Sequence, residues 1–188
     1  MPNPTRILAF AGSARRESLN RRFLAAAAAV LQGLGCAVTV VNPHELALPL
    51  YHGDLEDSSG MPAGAVTLVA QIASHQGLLI ASPEYNSMIT PLLKNTIDWC
   101  SRADKSPFEG KPAAVISASP GPLGGVRSLQ MAQMLLLKLG CHVVPGQCTL
   151  PQAHQAFDGE GGLVDERSRQ SLATLAKALA QVAGRAGS

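Results

Sequence analysis

The chain has 188 residues, with 15 Lys and Arg against 13 Asp and Glu, a net charge of +2, and 46% hydrophobic but only 4% aromatic side chains. That length supports one domain over 1–188 with a sizeable core, and long Ala/Leu-rich segments mixed with short Val/Ile/Leu runs point to an α/β protein. No basic tract offers a nucleic-acid footprint, and no apolar run approaches the roughly 18 residues of a membrane span.

"RILAFAG" (6–12) reads as a first strand, apolar throughout and therefore buried on both faces of a parallel sheet. "LNRRFLAAAAAVLQGL" (19–34) has helix-forming composition and ends at Gly33 and Gly35. "CAVTVVN" (36–42) is a second strand. "PHELALPLYHGDLEDSSGMPAG" (43–64) reads as loop, with Asp54, Glu56 and Asp57 as a solvated patch. Val66, Leu68, Val69, Ile72 and Ala73 recur at helical spacing, and "GLLIAS" (77–82) is a third strand. Thr90 as N-cap and Pro91 behind it start a helix that runs through "LLKNTIDWCSR" (92–102). "KPAAVISAS" (111–119) is a fourth strand, "GGVRSLQMAQMLLLKLG" (124–140) a helix and "CHVVPG" (141–146) a short fifth strand. A last helix begins at Asp165, with acids at its start and a basic residue near its end.

Strand and helix alternate about five times, which implies an open parallel sheet with helices on both faces. Ligands of such sheets bind beyond the carboxyl ends of the strands. The loops there read "GSARRESLN" (12–20), "PEYNSM" (83–88) and "SPGPLGG" (119–125), and three unusual loops on one rim imply one site. In the first, backbone N–H groups, the start of a helix, the hydroxyls of Ser13 and Ser18, the Asn20 amide and the Arg15 guanidinium can together bind a phosphate. The alternative is that Ser18 merely caps the helix and the arginines are solvated. In the second, Pro83 stiffens the turn and leaves the N–H groups of Glu84, Tyr85 and Asn86 for a flat, acceptor-rich ligand. In the third, Gly121, Gly124 and Gly125 allow close backbone approach.

No signature of a nucleophile, base or metal site emerges. The serines lack a G-x-S-x-G elbow, the five histidines are scattered, and Cys36, Cys100, Cys141 and Cys148 show neither a C-x-x-C pair nor zinc spacing. Catalytic side chains are therefore expected to be absent and the chemistry to be carried by a cofactor. Reduced, mostly buried thiols follow from the same spacing. Cytoplasmic location is the default expectation, since the first apolar run is too short for a secretory core.

Taken together, "GSARRESLN", "PEYNSMITPLLKNTIDW" and "SASPGPLGG" resemble the motifs of the NADPH-dependent FMN reductase family, the flavodoxin-like group that includes quinone, chromate and azo-dye reductases. The likeness runs in order over about 6–145. It implies a flavodoxin-like α/β/α sandwich with a five-stranded parallel sheet of order 2-1-3-4-5 and non-covalently bound FMN. By matching positions, Ser13, Arg15, Ser18, Leu19 and Asn20 would surround the phosphate. Pro83, Glu84, Tyr85 and Asn86 would line the isoalloxazine, and Ser117, Ala118, Ser119 and Gly121 would close the other side.

The implied reaction is a relay in which NADPH or NADH delivers hydride to flavin N5, leaves, and is replaced by a quinone or similar small acceptor, with chromate, azo dyes and ferric complexes in the same class. Homodimers or homotetramers are implied too, with Leu92 and Trp99 as a candidate contact between subunits. Two other roles stay open at this point: a reductase using FMN as a diffusible substrate, and a flavodoxin-like electron carrier. The slightly basic charge and the lack of a "T-x-T-G-x-T" loop speak against the carrier. The segments 43–64 and 146–165 carry no recognisable signature, and the role of Arg16 is undetermined.

Overall fold

The computed structural model describes residues 3–186, so the outermost residues of the single unit read from the sequence, 1–2 and 187–188, lie outside the described residues. The strands are β1 (Arg6–Ala11), β2 (Ala37–Val41), β3 (Gly77–Ala81), β4 (Pro112–Ala118), β5 (His142–Val143) and β6 (Cys148–Leu150). The helices are α1 (Leu19–Gly33), α2 (Gly53–Ser59), α3 (Ala63–Ser74), α4 (Pro91–Cys100), α5 (Val126–Lys138) and α6 (Glu166–Ala186). All sheet pairs are parallel, and the order is β2-β1-β3-β4-β5.

The alternation inside β1 shows why its run is apolar without a break. Ile7, Ala9 and Ala11 pack with Phe23, Leu24 and Leu31 of α1 and with Leu172, Leu175 and Leu179 of α6. Leu8 and Phe10 face the other way, onto Leu68 and Ile72 of α3, Leu93 and Ile97 of α4, and Leu129 and Leu136 of α5. Strand side chains alternate faces, so a sheet covered on both sides needs apolar residues at every position. Three layers result, with the sheet in the middle.

The fifth strand differs from expectation. It is two pieces, both parallel to β4: β5 pairs His142 with Pro112 at the start of β4, and β6 pairs Cys148, Thr149 and Leu150 with Ile116, Ser117 and Ala118 at its end. Pro145 and Gly146, the latter at φ 124, interrupt the edge between them. Proline has no N–H for a ladder, so an edge is where such a break is tolerated. The continuation carries residues from 146–165 to the carboxyl rim of the sheet.

Segment 43–64 is likewise more ordered than a loop. It contains a 3-10 turn at Pro43–Leu46 and the helix α2, and it is strapped to α4. Trp99 Nε1 and Asn95 Nδ2 both donate to Pro49 O, at 2.7 and 2.9 Å, while Tyr51 N donates to Asn95 Oδ1 at 2.8 Å. Glu56 is not simply solvated, because it accepts from Tyr51 Oη at 2.9 Å and from Arg102 Nε. Trp99 is fully buried, with its ring edge-on to Tyr51, so it stabilises its own chain and is no subunit contact; Leu92 remains partly exposed. No helix of the described residues is long and apolar enough to cross a membrane.

Candidate functional site

Three strand-to-helix loops converge at the carboxyl ends of β1, β3 and β4. Gly12 lies against the start of α4, where a Cβ would come within 2.6 Å of Leu93 Cβ. Only glycine lets loop 12–20 approach so closely. Thr90 then acts twice: its hydroxyl accepts from Leu93 N at 3.2 Å as the N-cap of α4 and donates to Gly12 O at 2.6 Å. From the other side, Asn20 Nδ2 donates to Ala118 O at 2.7 Å and Ala118 N donates to Asn20 Oδ1 at 2.9 Å. Loop 12–20 is thereby clamped between α4 and the end of β4.

The loops enclose a cleft of about 370 Å³, within the size range of small-molecule sites. Ser13, Arg15, Ser18, Leu19, Asn20, Pro83, Glu84, Tyr85, Ala118 and Ser119 line it, together with Glu17 and Pro120, which lie in the same loops but to which the motifs assign no role. Asn86, Ser117 and Gly121 are not among its lining residues. Asn86 sits at φ 51 beside Ser87 at φ 66, at the tip of a tight turn closed by reciprocal bonds between Tyr85 and Met88. Ser117 is fully buried and donates to Ser82 O at 2.6 Å. Gly121 O accepts from Gln152 N, which ties it to the segment after β6.

Several roles change on this geometry. Ser18 does cap α1, accepting from Arg21 N at 3.3 Å, and Ser13 Oγ accepts from Arg15 N at 3.3 Å. The Asn20 amide is engaged with Ala118 on both its atoms and so braces the loop. The Tyr85 N–H is not available to a ligand, because Met88 O accepts it at 3.0 Å. By contrast, among the described residues the backbone N–H groups of Ala14, Arg16, Leu19 and Asn20 and the Arg15 and Arg16 side chains have no hydrogen-bond acceptor. Free amides at the start of a 15-residue helix, with a guanidinium beside them, are the donor set that an anion needs.

Glu84 lines the cleft, but its carboxylate is held by Arg127 and by the first amides of α5. Burial works to raise the Glu84 pKa, but these hydrogen bonds and the guanidinium charge outweigh it, leaving the carboxyl below its ordinary value. A depressed folded value adds stability that is present above the ordinary glutamate pKa of about 4.3 and is lost as pH falls through the folded one. In melting curves taken across the acid range, Glu84→Gln is therefore expected to lose Tm less steeply than the parent. Parallel slopes would show that this carboxyl does not drive acid unfolding.

Gly125 stands at φ 84, and a Cβ there would lie 2.1 Å from Ser117 Oγ. Gly125→Ala is expected to cost about 2–3 kcal/mol, part from the left-handed backbone and part from the clash. Ser117→Ala in the same chain removes the contact with Oγ but also the hydrogen bond to Ser82 O, and Ser117 Cβ would still lie 3.1 Å away, so the double variant should stay less stable than the parent. A double variant as stable as the parent, or no loss in the single one, would contradict this packing.

None of the four cysteines is placed as a nucleophile. All are buried and free, and burial pushes the thiols of Cys100 and Cys141 up to about 12. Among the described residues no cluster of His, Cys, Asp and Glu could hold a metal ion. Arg127 and Ser128, which sequence reasoning missed, do have a signal: "GGVRS" starts a helix with no capping side chain, so the acceptor for its first amides must come from elsewhere.

Comparison with known proteins places the chain in a family. The family model described as NADPH-dependent FMN reductase matches residues 5–155. An NAD(P)H-dependent FMN reductase of Pseudomonas aeruginosa is 32% identical over 181 residues, covering 95% of each chain. A quinone reductase of Escherichia coli (strain K12) is 33% identical over 146 residues, 77% of this chain and 76% of that one. In structure, the flavoenzyme NAD(P)H:(acceptor) oxidoreductase FerB of Paracoccus denitrificans superposes with a TM-score of 0.84 at 27% identity, covering 96% of this chain and 98% of its own. A family-model match over residues 5–155, with a 32% identical relative covering 95% of each chain, means that this chain belongs to the NADPH-dependent FMN reductase family.

Proposed function

We propose that the chain, acting as one unit over 1–188, is an NAD(P)H-dependent reductase that holds FMN in the 370 Å³ cleft and serves quinones or similar small acceptors. The observation that carries this is the gathering of loops 12–20, 83–88 and 119–125 around one cleft whose phosphate end keeps unbonded amides and the free Arg15 guanidinium. The donor set fits a flavin mononucleotide. Bound there, the flavin supplies hydride acceptance at N5 and electron delivery to an acceptor, which no side chain of the cleft can provide.

The protein's own part is positioning. With FMN bound, the backbone amides of Leu19 and Asn20 and the Arg15 side chain would hold its phosphate. Pro83 and Tyr85 on one side, and Ala118, Ser119 and Pro120 on the other, orient the ring. Tyr85, Met88 and Leu123 are exposed by 46%, 50% and 53%, giving the rim an apolar character suited to planar, weakly polar acceptors. Assembly as a homodimer or homotetramer belongs to this proposal, with the partly exposed side of α4, rather than Trp99, as the available face.

Purified protein is expected to be yellow and to bleach anaerobically with NADPH or NADH, then recover its colour when a quinone is added. Chromate, an azo dye and a ferric complex complete the panel. A yellow protein inert to both nicotinamides would point to an electron carrier, and a colourless one that turns over added FMN to a diffusible flavin. The Tyr85 ring is exposed while its backbone makes the turn, so Tyr85→Ala should change turnover but shift the Tm of the flavin-free protein by less than about 2 °C. A larger thermal loss would assign the ring to the fold.

A further inference from the structure

The start of α5 has no cap of its own. Its N-cap position is Gly125, where the contact with Ser117 Oγ leaves no room for a side chain that could reach the first-turn amides. Glu84 supplies the acceptor from the opposite loop. One carboxylate oxygen takes the amides of Arg127 and Ser128 at 3.1 and 3.3 Å, and the other takes Arg127 Nε at 2.9 Å together with Nη2. Only 10% of the Glu84 side chain is exposed.

Beneath this contact lies a relay of buried hydroxyls. Ser128 Oγ donates its one hydrogen to Pro83 O at 2.7 Å and therefore accepts from Ser82 Oγ, also at 2.7 Å. The β3–β4 ladder ends just below, with Ser82 N donating to Ile116 O at 2.9 Å. Past that rung, Ser117 Oγ donates to Ser82 O at 2.6 Å, and Glu84 and this relay tie loop 83–88 to the start of α5. Both walls of the cleft are thus fastened to one helix start.

We propose that Glu84 is a positioning residue for flavin binding: by capping α5 in place of Gly125, it fixes the wall carrying Pro83 and Tyr85 relative to the wall carrying Ala118, Ser119 and Pro120. The proposal rests on reading the cleft as the flavin site. It gives Glu84 a role through other groups, with its carboxylate directed at α5 and Arg127. Glutamate suits the task because it offers one oxygen to the helix amides and the other to the guanidinium.

Amide hydrogen exchange on the flavin-free protein, paired with FMN titration, tests this. Glu84→Ala is expected to speed exchange at Arg127 and Ser128 and also across 83–88 and 119–125, and to raise the FMN dissociation constant about tenfold, as the two walls lose their fixed relative position. Glu84→Gln keeps an oxygen for the same amides and should restore protection and most of the affinity. Should Glu84→Ala not fold, Glu84→Asp, with its shorter arm, carries the comparison.

Exchange that rises only at 126–129, with FMN affinity unchanged, would reduce Glu84 to a local cap and overturn the proposal. So would a Glu84→Gln protein as impaired as Glu84→Ala. If the parent protein binds no FMN, the flavin reading fails, and the exchange pattern alone still decides whether Glu84 joins the two walls.

Discussion

Arg15→Ala is expected to weaken FMN binding by about 1.5–3 kcal/mol, a rise in dissociation constant of roughly 10- to 150-fold, and to leave the Tm of the flavin-free protein where it was. The guanidinium lines the cleft and is exposed, and among the described residues it has no hydrogen-bond or ion-pair partner. Its removal therefore takes nothing from the fold. What it takes from the ligand is a charge-assisted contact to an anion already held by backbone amides. Arg15→Lys, a point charge without the planar fork, should fall between the two. Fluorescence titration of free FMN, which is quenched or shifted on binding, measures the change. Equal affinity in the three proteins would remove Arg15 from the site.

Asn20→Ala acts in the opposite order, on the fold first. Asn20 and Ala118 are 4% and 3% exposed, and the Asn20 amide satisfies both the N–H and the carbonyl of Ala118. Truncation leaves two backbone groups unpaired where water has little access, and each such group costs about 1–3 kcal/mol. About 3–4 kcal/mol is expected in total, a fall in Tm of roughly 6–16 °C for a chain of this size. FMN affinity should fall as well, since loop 12–20 loses its brace to β4. Asn20→Asp keeps the acceptor for Ala118 N but sets a carboxylate oxygen against Ala118 O, and should recover only part of the stability. An Asn20→Ala protein that melts with the parent while binding FMN poorly would make Asn20 a direct ligand of the phosphate.

These two residues stand five positions apart in one motif, and their division of labour could not be read from it. Nor could the diversion of Glu84 from the ring to α5, the engagement of the Tyr85 amide within its own turn, or the burial of Ser117. Motif positions say which residues come near a ligand. Which atoms face it depends on what each side chain meets from distant segments.

The sequence by itself determined the layered α/β class, the main strands and helices, and the three loops that share a rim, because those depend on local periodicity, capping residues and the rule that parallel strands end on one side. Thr90 was legible as a cap for the same local reason, and Ser18 as the alternative to a phosphate contact. The tertiary structure alone decided the split edge strand, the strap of 43–64 on Trp99 and Asn95, the brace from Asn20 to Ala118 and the cap lent by Glu84. Each joins residues about 30 to 100 positions apart through hydrogen bonds that leave no period in the chain; they follow from which groups are left unpaired once the apolar faces have packed.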